Sequence, residues 1–146
     1  MCFEIRKAEL RDLGDALKLD KMSFGPDAWT VMDYMGVFSM RDVKKFTAVS
    51  GGEFAGFAAS QYDRKEEAVC LMTIAVSPKH RRKGIGAALL KAAETAFGPN
   101  RIYLYVDAEN TDAIRLYRHA GYEAAGMIPS YYMNGNDALV MEKQIE

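Results

Sequence analysis

The sequence predicts a three-layer α+β fold, a central mixed sheet of about six or seven strands flanked by about four helices, and three observations carry that expectation. Apolar runs rich in β-branched and aromatic residues alternate along the chain with segments of helical periodicity. The strand–loop–helix–strand unit from Ala68 to Val106 has the order of a βαβ crossover, which requires its two strands to be parallel. Gly51-Gly52 stands between two strand-like runs and marks a tight hairpin, hence an antiparallel neighbour. A sheet with both kinds of pairing is mixed.

Each element has its own signal. Phe3 to Arg6 alternates enough for a short opening strand, and Leu10 to Met22 places Leu13, Ala16, Leu17 and Asp20 at helical spacing. Asp20 reads either as a solvated carboxylate at the frayed end of that stripe or as one aimed into a cleft. Ser23 to Trp29 is a Gly/Pro-punctuated loop carrying Phe24 and the only Trp. Thr30 with Asp33 three places on has the form of a helix start, and a short apolar helix runs to Ser39. Phe46 to Ser50 and Glu53 to Tyr62 flank the glycine turn, Asp63 to Glu67 is a polar turn, and Ala68 to Val76 is the next strand. Ile85, Leu89, Ala93, Ala96 and Phe97 form the buried stripe of a helix that Gly98-Pro99 stops. Arg101 to Val106 is a strand, and Asn110 or Thr111 caps a helix that reaches Ala120 and ends at Gly121. The tail holds a strand from Tyr122 to Met127, a turn at Pro129, the pair Tyr131-Tyr132, an Asn134-Gly135-Asn136 turn and a last strand from Ala138 to Lys143. No repeat or linker divides the chain, so residues 1–146 read as one domain.

Composition narrows the function classes. With 49% hydrophobic and 27% charged residues there is ample material for one core. A net charge of −1 argues against a chain whose business is coating nucleic acid or an anionic membrane, so any electropositive site is local. Cys2 and Cys70 have no motif spacing, which suggests free thiols in a reducing cytoplasm and excludes a cysteine-based zinc site. No run approaches ~18 apolar residues, and Glu4, Arg6 and Lys7 rule out a signal peptide at the start. The expectation is a soluble cytoplasmic protein with no metal, no nucleic-acid partner and no membrane, monomeric or homodimeric.

The chemistry starts in the stretch Thr73 to Leu90, read as strand, basic loop, helix. Pro78 cannot donate to a ladder and ends the strand; Gly84 and Gly86 leave bare backbone at a helix start, where unpaired N–H groups and the dipole favour phosphate oxygens. Arg81, Arg82 and Lys83 add charge, while Lys79 and His80 read as exposed residues that add only field. A P-loop fails because Lys83 precedes the glycines, and a dinucleotide fingerprint fails because Leu89 stands where its third glycine belongs. A merely solvated basic loop is the plain alternative.

Further on, Asn110, Ala113, Leu116-Tyr117 and Gly121-Tyr122 stand in the pattern Asn-x-x-Ala-x-x-Leu-Tyr-x-x-x-Gly-Tyr. Together with Arg81-x-x-Gly84-x-Gly86, in this order, the chain resembles the GNAT superfamily of acyl-CoA-dependent N-acyltransferases. Tyr131 to Met141 and Asp20 to Trp29 are similar to the branch that acetylates protein N-termini, the ribosomal-protein alanine N-acetyltransferases and their relatives.

That resemblance implies a GNAT fold and direct transfer of acetyl from acetyl-CoA to an amine, without a metal or a covalent enzyme intermediate. It implies that Ile74, Ala75 and Val76 receive the pantetheine arm where two parallel strands splay. Arg81, Arg82, Lys83, Gly84, Ile85, Gly86 and Ala87 would hold the pyrophosphate, Asn110 would steady pantetheine and helix start together, and Tyr117 would protonate the departing thiolate. Phe24 and Trp29 would form one wall of an acceptor groove, Tyr131 and Tyr132 the other, with Asp20 nearby. Relatives often carry Glu or His five residues before the motif Asn; here that residue is Tyr105, a poor base with an ordinary pKa of ~10. The base stays open, Tyr105 first and Asp107 second, and the two share a strand face only if no bulge intervenes. Glu123 and His119 read as structural. The expected acceptor is the α-amine of a protein or peptide; the alternatives are a small amine such as a polyamine or aminoglycoside, and a CoA-binding module without turnover.

Overall fold

The computed structural model describes residues 2–146. The order is β1 (Phe3–Lys7), α1 (Leu13–Phe24), α2 (Val31–Ser39), β2 (Val43–Ser50), β3 (Glu53–Asp63), β4 (Ala68–Val76), α3 (Ile85–Thr95), β5 (Asn100–Asp107), α4 (Thr111–His119), β6 (Glu123–Ile128) and β7 (Ala138–Ile145). They build one 7-stranded mixed sheet in the order β1-β2-β3-β4-β5-β7-β6. Among the described strands only β4 and β5 are parallel, as the crossover through α3 requires.

Local chemistry sets the boundaries. The Leu10 helix opens as a 3₁₀ turn, because Asp12 accepts the Glu9 N–H at 2.7 Å and holds the Arg6 guanidinium at 2.8 and 2.9 Å. Asp12 is buried there, a tie between β1 and the helix start that pattern reading missed. Thr30 and Asp33 form the expected reciprocal cap, with the Asp33 N–H on Thr30 Oγ1 at 3.2 Å and the Thr30 N–H on Asp33 Oδ2 at 2.8 Å. Gly51 and Gly52 both take positive φ in the β2–β3 turn.

Alternation then sorts the core onto two faces. On one, Ala16, Tyr34 and Val37 of α1 and α2 pack with Val43, Phe57 and Ala59. On the other, Ile85 and Leu89 of α3 pack with Ala48, Ala55 and Ala58, and Leu90 and Ala93 join Val69, Ile102, Leu104 and Met141 beside α4. Gly56 lets these layers close: a Cβ there would lie 2.9 Å from the Ala75 carbonyl oxygen and 2.9 Å from Leu89 Cδ1. Among the described residues no helix is long and apolar enough to cross a membrane.

Candidate active site

The sheet opens where the donor is expected. β4 and β5 pair only at Val69↔Ile102 and Cys70↔Tyr103, so the rest of β4, including Ile74, Ala75 and Val76, has a free edge on that side. A register shift against β3 leaves Met72 without a partner, since Ala59 faces Thr73 and Ser60 faces Leu71. Met72 packs against the α1–α2 layer. Free backbone N–H and C=O groups at a strand edge are what an extended amide-bearing chain pairs with.

The basic loop runs from this edge into α3. The first bond of the helix turn is Ala88 N–H to the Gly84 carbonyl at 3.1 Å, so the N–H groups of Ile85, Gly86 and Ala87 precede it and no side chain caps them. Gly84 is required by its φ of 84°, and Arg82 also adopts a left-handed φ of 62°. At Gly86 a Cβ would meet Val76 Cγ2 at 3.6 Å and Leu116 Cδ2 at 3.7 Å, ordinary contact, so crowding within the chain does not explain that glycine. The Ile85 side chain is buried under the sheet, leaving only its backbone to face a ligand. Arg81 folds back, its Nε donating to the Val76 carbonyl at 3.2 Å. His80 corrects the expectation of an exposed residue: it is 6% exposed, with Nε2 3.3 Å from a Glu53 carboxylate oxygen but without hydrogen-bonding geometry at either ring nitrogen. Pro78 starts a 3₁₀ turn through His80 that folds the imidazole inward, which charge counting could not anticipate.

Asn110 caps α4, its side-chain oxygen accepting the Ala113 N–H at 3.1 Å. Tyr117 and Tyr122 project from this region with ring centroids 5.7 Å apart, and their surroundings differ. The Tyr122 hydroxyl donates to buried Glu94 at 2.9 Å, and Glu94 is further held by Lys143 at 3.2 Å. Tyr117 is 6% exposed; burial and the nearby Tyr132 push its pKa far up, so it stays protonated through the neutral range.

All of β5 pairs with β7 without a shift, so Tyr105 and Asp107 do share one face. Neither is tuned toward neutrality. Burial, with nearby Cys70, Tyr131, Glu66 and Asp63, raises the Tyr105 hydroxyl. At Asp107 burial opposes but is outweighed by the Glu109 N–H at 2.9 Å and the Asn136 and Asn134 amides at 3.1 and 3.4 Å, which hold the carboxylate below its ordinary value. Tyr132 is pushed up to about 12 by burial and by Tyr131, Asp107 and Asp27.

The two outer segments meet. Asp27, in the 3₁₀ turn Gly25–Asp27, accepts the Met133 N–H at 3.1 Å, and Tyr131 lies against Tyr105 with centroids 5.5 Å apart. Tyr131 and Tyr132 stand edge to face at 5.0 Å in the β6–β7 connection rather than on a strand. Phe24 is partly exposed at the end of α1, whereas the Trp29 ring packs 5.1 Å from buried Tyr34. Asp20 is 3% exposed, accepting the Trp29 N–H at 2.6 Å and the Thr73 hydroxyl at 3.4 Å; desolvation raises its pKa despite these bonds. It therefore ties the Trp29 segment to Thr73 of β4 and is buried rather than solvated. A separate cavity of about 740 Å³ between α4 and β6–β7, lined among others by Ile114, Arg118 and Met127, contains none of these residues. Among the described residues no group of three or more His, Cys, Asp or Glu side chains is placed to hold a metal ion.

A splayed parallel pair beside an uncapped helix start, on this strand order, defines an acyltransferase fold. The chain belongs to the GNAT acetyltransferase family, whose profile matches residues 11–122. It is an N-acyltransferase by family and by its named relatives. An N-alpha-acetyltransferase of Sulfurisphaera tokodaii is 27% identical over 153 residues, covering 95% of this chain and 91% of the relative. A streptothricin acetyltransferase of Streptomyces lavendulae is 36% identical over 108 residues, 68% of this chain and 57% of the relative. The crystal structure of the ribosomal-protein-S18-alanine N-acetyltransferase from Escherichia coli superposes with a TM-score of 0.84 at 27% identity, over 99% of this chain and 95% of that one.

Proposed function

We propose that this enzyme transfers the acetyl group of acetyl-CoA to the α-amine of a protein or peptide N-terminus in the cytoplasm. The donor reading rests on fit: the free edge of β4 suits the amides of the pantetheine arm, and the N–H groups of Ile85, Gly86 and Ala87, with Arg82 and Lys83 beside them, suit a pyrophosphate. Asn110 keeps its NH₂ available while its oxygen caps α4. A free N–H on the β4 edge polarises the thioester carbonyl, and Tyr117 gives its proton to the departing thiolate.

One observation carries the acceptor reading. Three ionisable groups at the expected acceptor site are shifted away from neutrality, Tyr105 and Tyr132 upward and Asp107 downward, so none of the three is a strong base at pH 7. The site thus suits an amine that sheds its own proton. An α-amine with a pKa of ~7.8 is about one-third neutral at pH ~7.5, whereas an alkylammonium near ~10.4 is neutral in only about one molecule in a thousand. Tyr105 then aligns the amine or a water, and Tyr131 and Tyr132 line the way in. The relationship to an N-alpha-acetyltransferase and to a ribosomal-protein alanine N-acetyltransferase supports the same reading. The streptothricin enzyme keeps a small amine as the second one.

Thiol release from acetyl-CoA by the purified protein tests this. The expected result is turnover with peptides bearing free N-termini and none with the same peptides N-terminally blocked. Release with spermidine or an aminoglycoside but never with a free peptide would overturn it.

A further inference from the structure

α1 and α2 cover the β2–β4 half of one sheet face, and the same face of β5, β7 and β6 carries a lane of exposed side chains. Register places Cys70, Tyr103, Glu142 and Glu123 in one row across β4, β5, β7 and β6, with Tyr105 opposite Val140 in the next row on the same face. Tyr103, Tyr105 and Tyr131 form a continuous aromatic ladder with centroid spacings of 5.9 and 5.5 Å. Tyr105 and Tyr131 are open to solvent, at 42% and 50%, whereas Tyr103 at the inner end is buried at 9%.

The charges bordering this lane are mostly acidic, and of the cations among them Arg101 already lies 5.9 Å over the Tyr103 ring. Asp63 accepts the Tyr103 hydroxyl at 2.6 Å and the backbone N–H of Lys65 at 3.0 Å. Glu142, Glu123 and Asp107 lie along β7, β6 and the end of β5, and Asp27 stands at the loop above. Among the described residues none of these five carboxylates is in an ion pair. The lane's own cation, Arg101, is engaged, donating to the Glu66 carbonyl at 2.9 Å with the Glu66 carboxylate at 3.8 Å; Lys65 stands near Asp63. Exposed tyrosine faces flanked by unpaired carboxylates complement lysine and arginine, whose stems cover the rings while their charges meet the acids.

We propose that this open half-sheet receives a basic acceptor segment, a polypeptide whose Lys or Arg side chains follow the amine that is acetylated. The inference rests on the α-amine reading above and adds the chemistry of the residues downstream.

Two synthetic peptides with the same free N-terminal residue, one carrying lysines and the other glutamines downstream, separate the cases. At low ionic strength kcat/KM for the lysine peptide should exceed that of the glutamine peptide about fivefold. The ratio should shrink in added salt and in the double variant Glu123→Gln/Glu142→Gln, whose folding is checked by thermal melting. Equal kcat/KM for the two peptides, or a ratio the double variant leaves unchanged, overturns this inference while the α-amine reading stands. Turnover of spermidine with neither peptide acetylated removes both.

Discussion

The Asp27 carboxylate accepts the Met133 N–H at 3.1 Å, joining two loops 106 positions apart in the chain. Through this bond the α1–α2 turn and the β6–β7 connection form one rim over the parting of β4 and β5. Asp27→Ala should free the rim, raising KM for the acceptor about three- to tenfold, as expected for one charge-assisted hydrogen bond, while KM for acetyl-CoA stays within twofold or so. Steady-state kinetics with each substrate varied checks this; equal changes in both constants would mean a general loss of structure.

Tyr117 is a buried phenol that its surroundings keep protonated, while its neighbour Tyr122 is committed to Glu94. Tyr117→Phe removes the donor and keeps the packing. We expect kcat to fall about 10²-fold or more, with CoA affinity by titration little changed. A parallel loss of affinity would make Tyr117 a binding residue.

The pH profile reports on the missing base. With Tyr105 raised and Asp107 lowered, kcat/KM should climb with unit slope up to the acceptor's own α-amine pKa near ~8 and level off there. A peptide with a less basic N-terminus should move the break down by the same amount. Tyr105→Phe should cost only a few-fold and leave the break in place. A break that stays fixed across acceptors would point to an enzyme group.

Acid stability should depend on Asp12. Burial alone would raise its pKa, but the Arg6 hydrogen bonds, with the Glu9 N–H and the Thr47 hydroxyl, outweigh it and hold it below the ordinary value. Because the folded value is the lower one, this stability is fully present above the unfolded value near ~3.9 and is lost as pH falls through the folded value. Asp12→Asn should cost about 1–3 kcal/mol at neutral pH and flatten the acid limb of the stability curve, measured by urea titration across pH.

Gly56→Ala tests the packing behind the donor edge. Its methyl would press on the Ala75 carbonyl and on Leu89, both at 2.9 Å, costing about 1–3 kcal/mol and displacing the strand edge assigned to pantetheine. Lower stability with raised KM for acetyl-CoA is expected; an unchanged melting temperature would refute the clash.

Local signals were legible because they act over a few residues. Thr30 with Asp33, Asn110, the Gly51-Gly52 turn and the glycine-led start of α3 are each set by neighbours within a turn, and the structure places them as read. The burial of His80 was not legible, since it depends on a 3₁₀ turn folding the ring inward. Nor was the role of Asp20, whose stripe position left solvent and cleft both open until Trp29 and Thr73 met it.

The sequence by itself determined the mixed sheet and the strand–loop–helix that includes Gly84 and Gly86, because periodicity, caps and glycines act between near neighbours, and its two motifs carried the resemblance to the family. Only the tertiary structure decided where β4 and β5 part, that Met72 bulges, that Tyr105 and Asp107 are tuned in opposite directions, and that Asp27 reaches Met133. Register, burial and long-range hydrogen bonds are properties of groups distant in the chain, and they exist only once the sheet has brought those groups together.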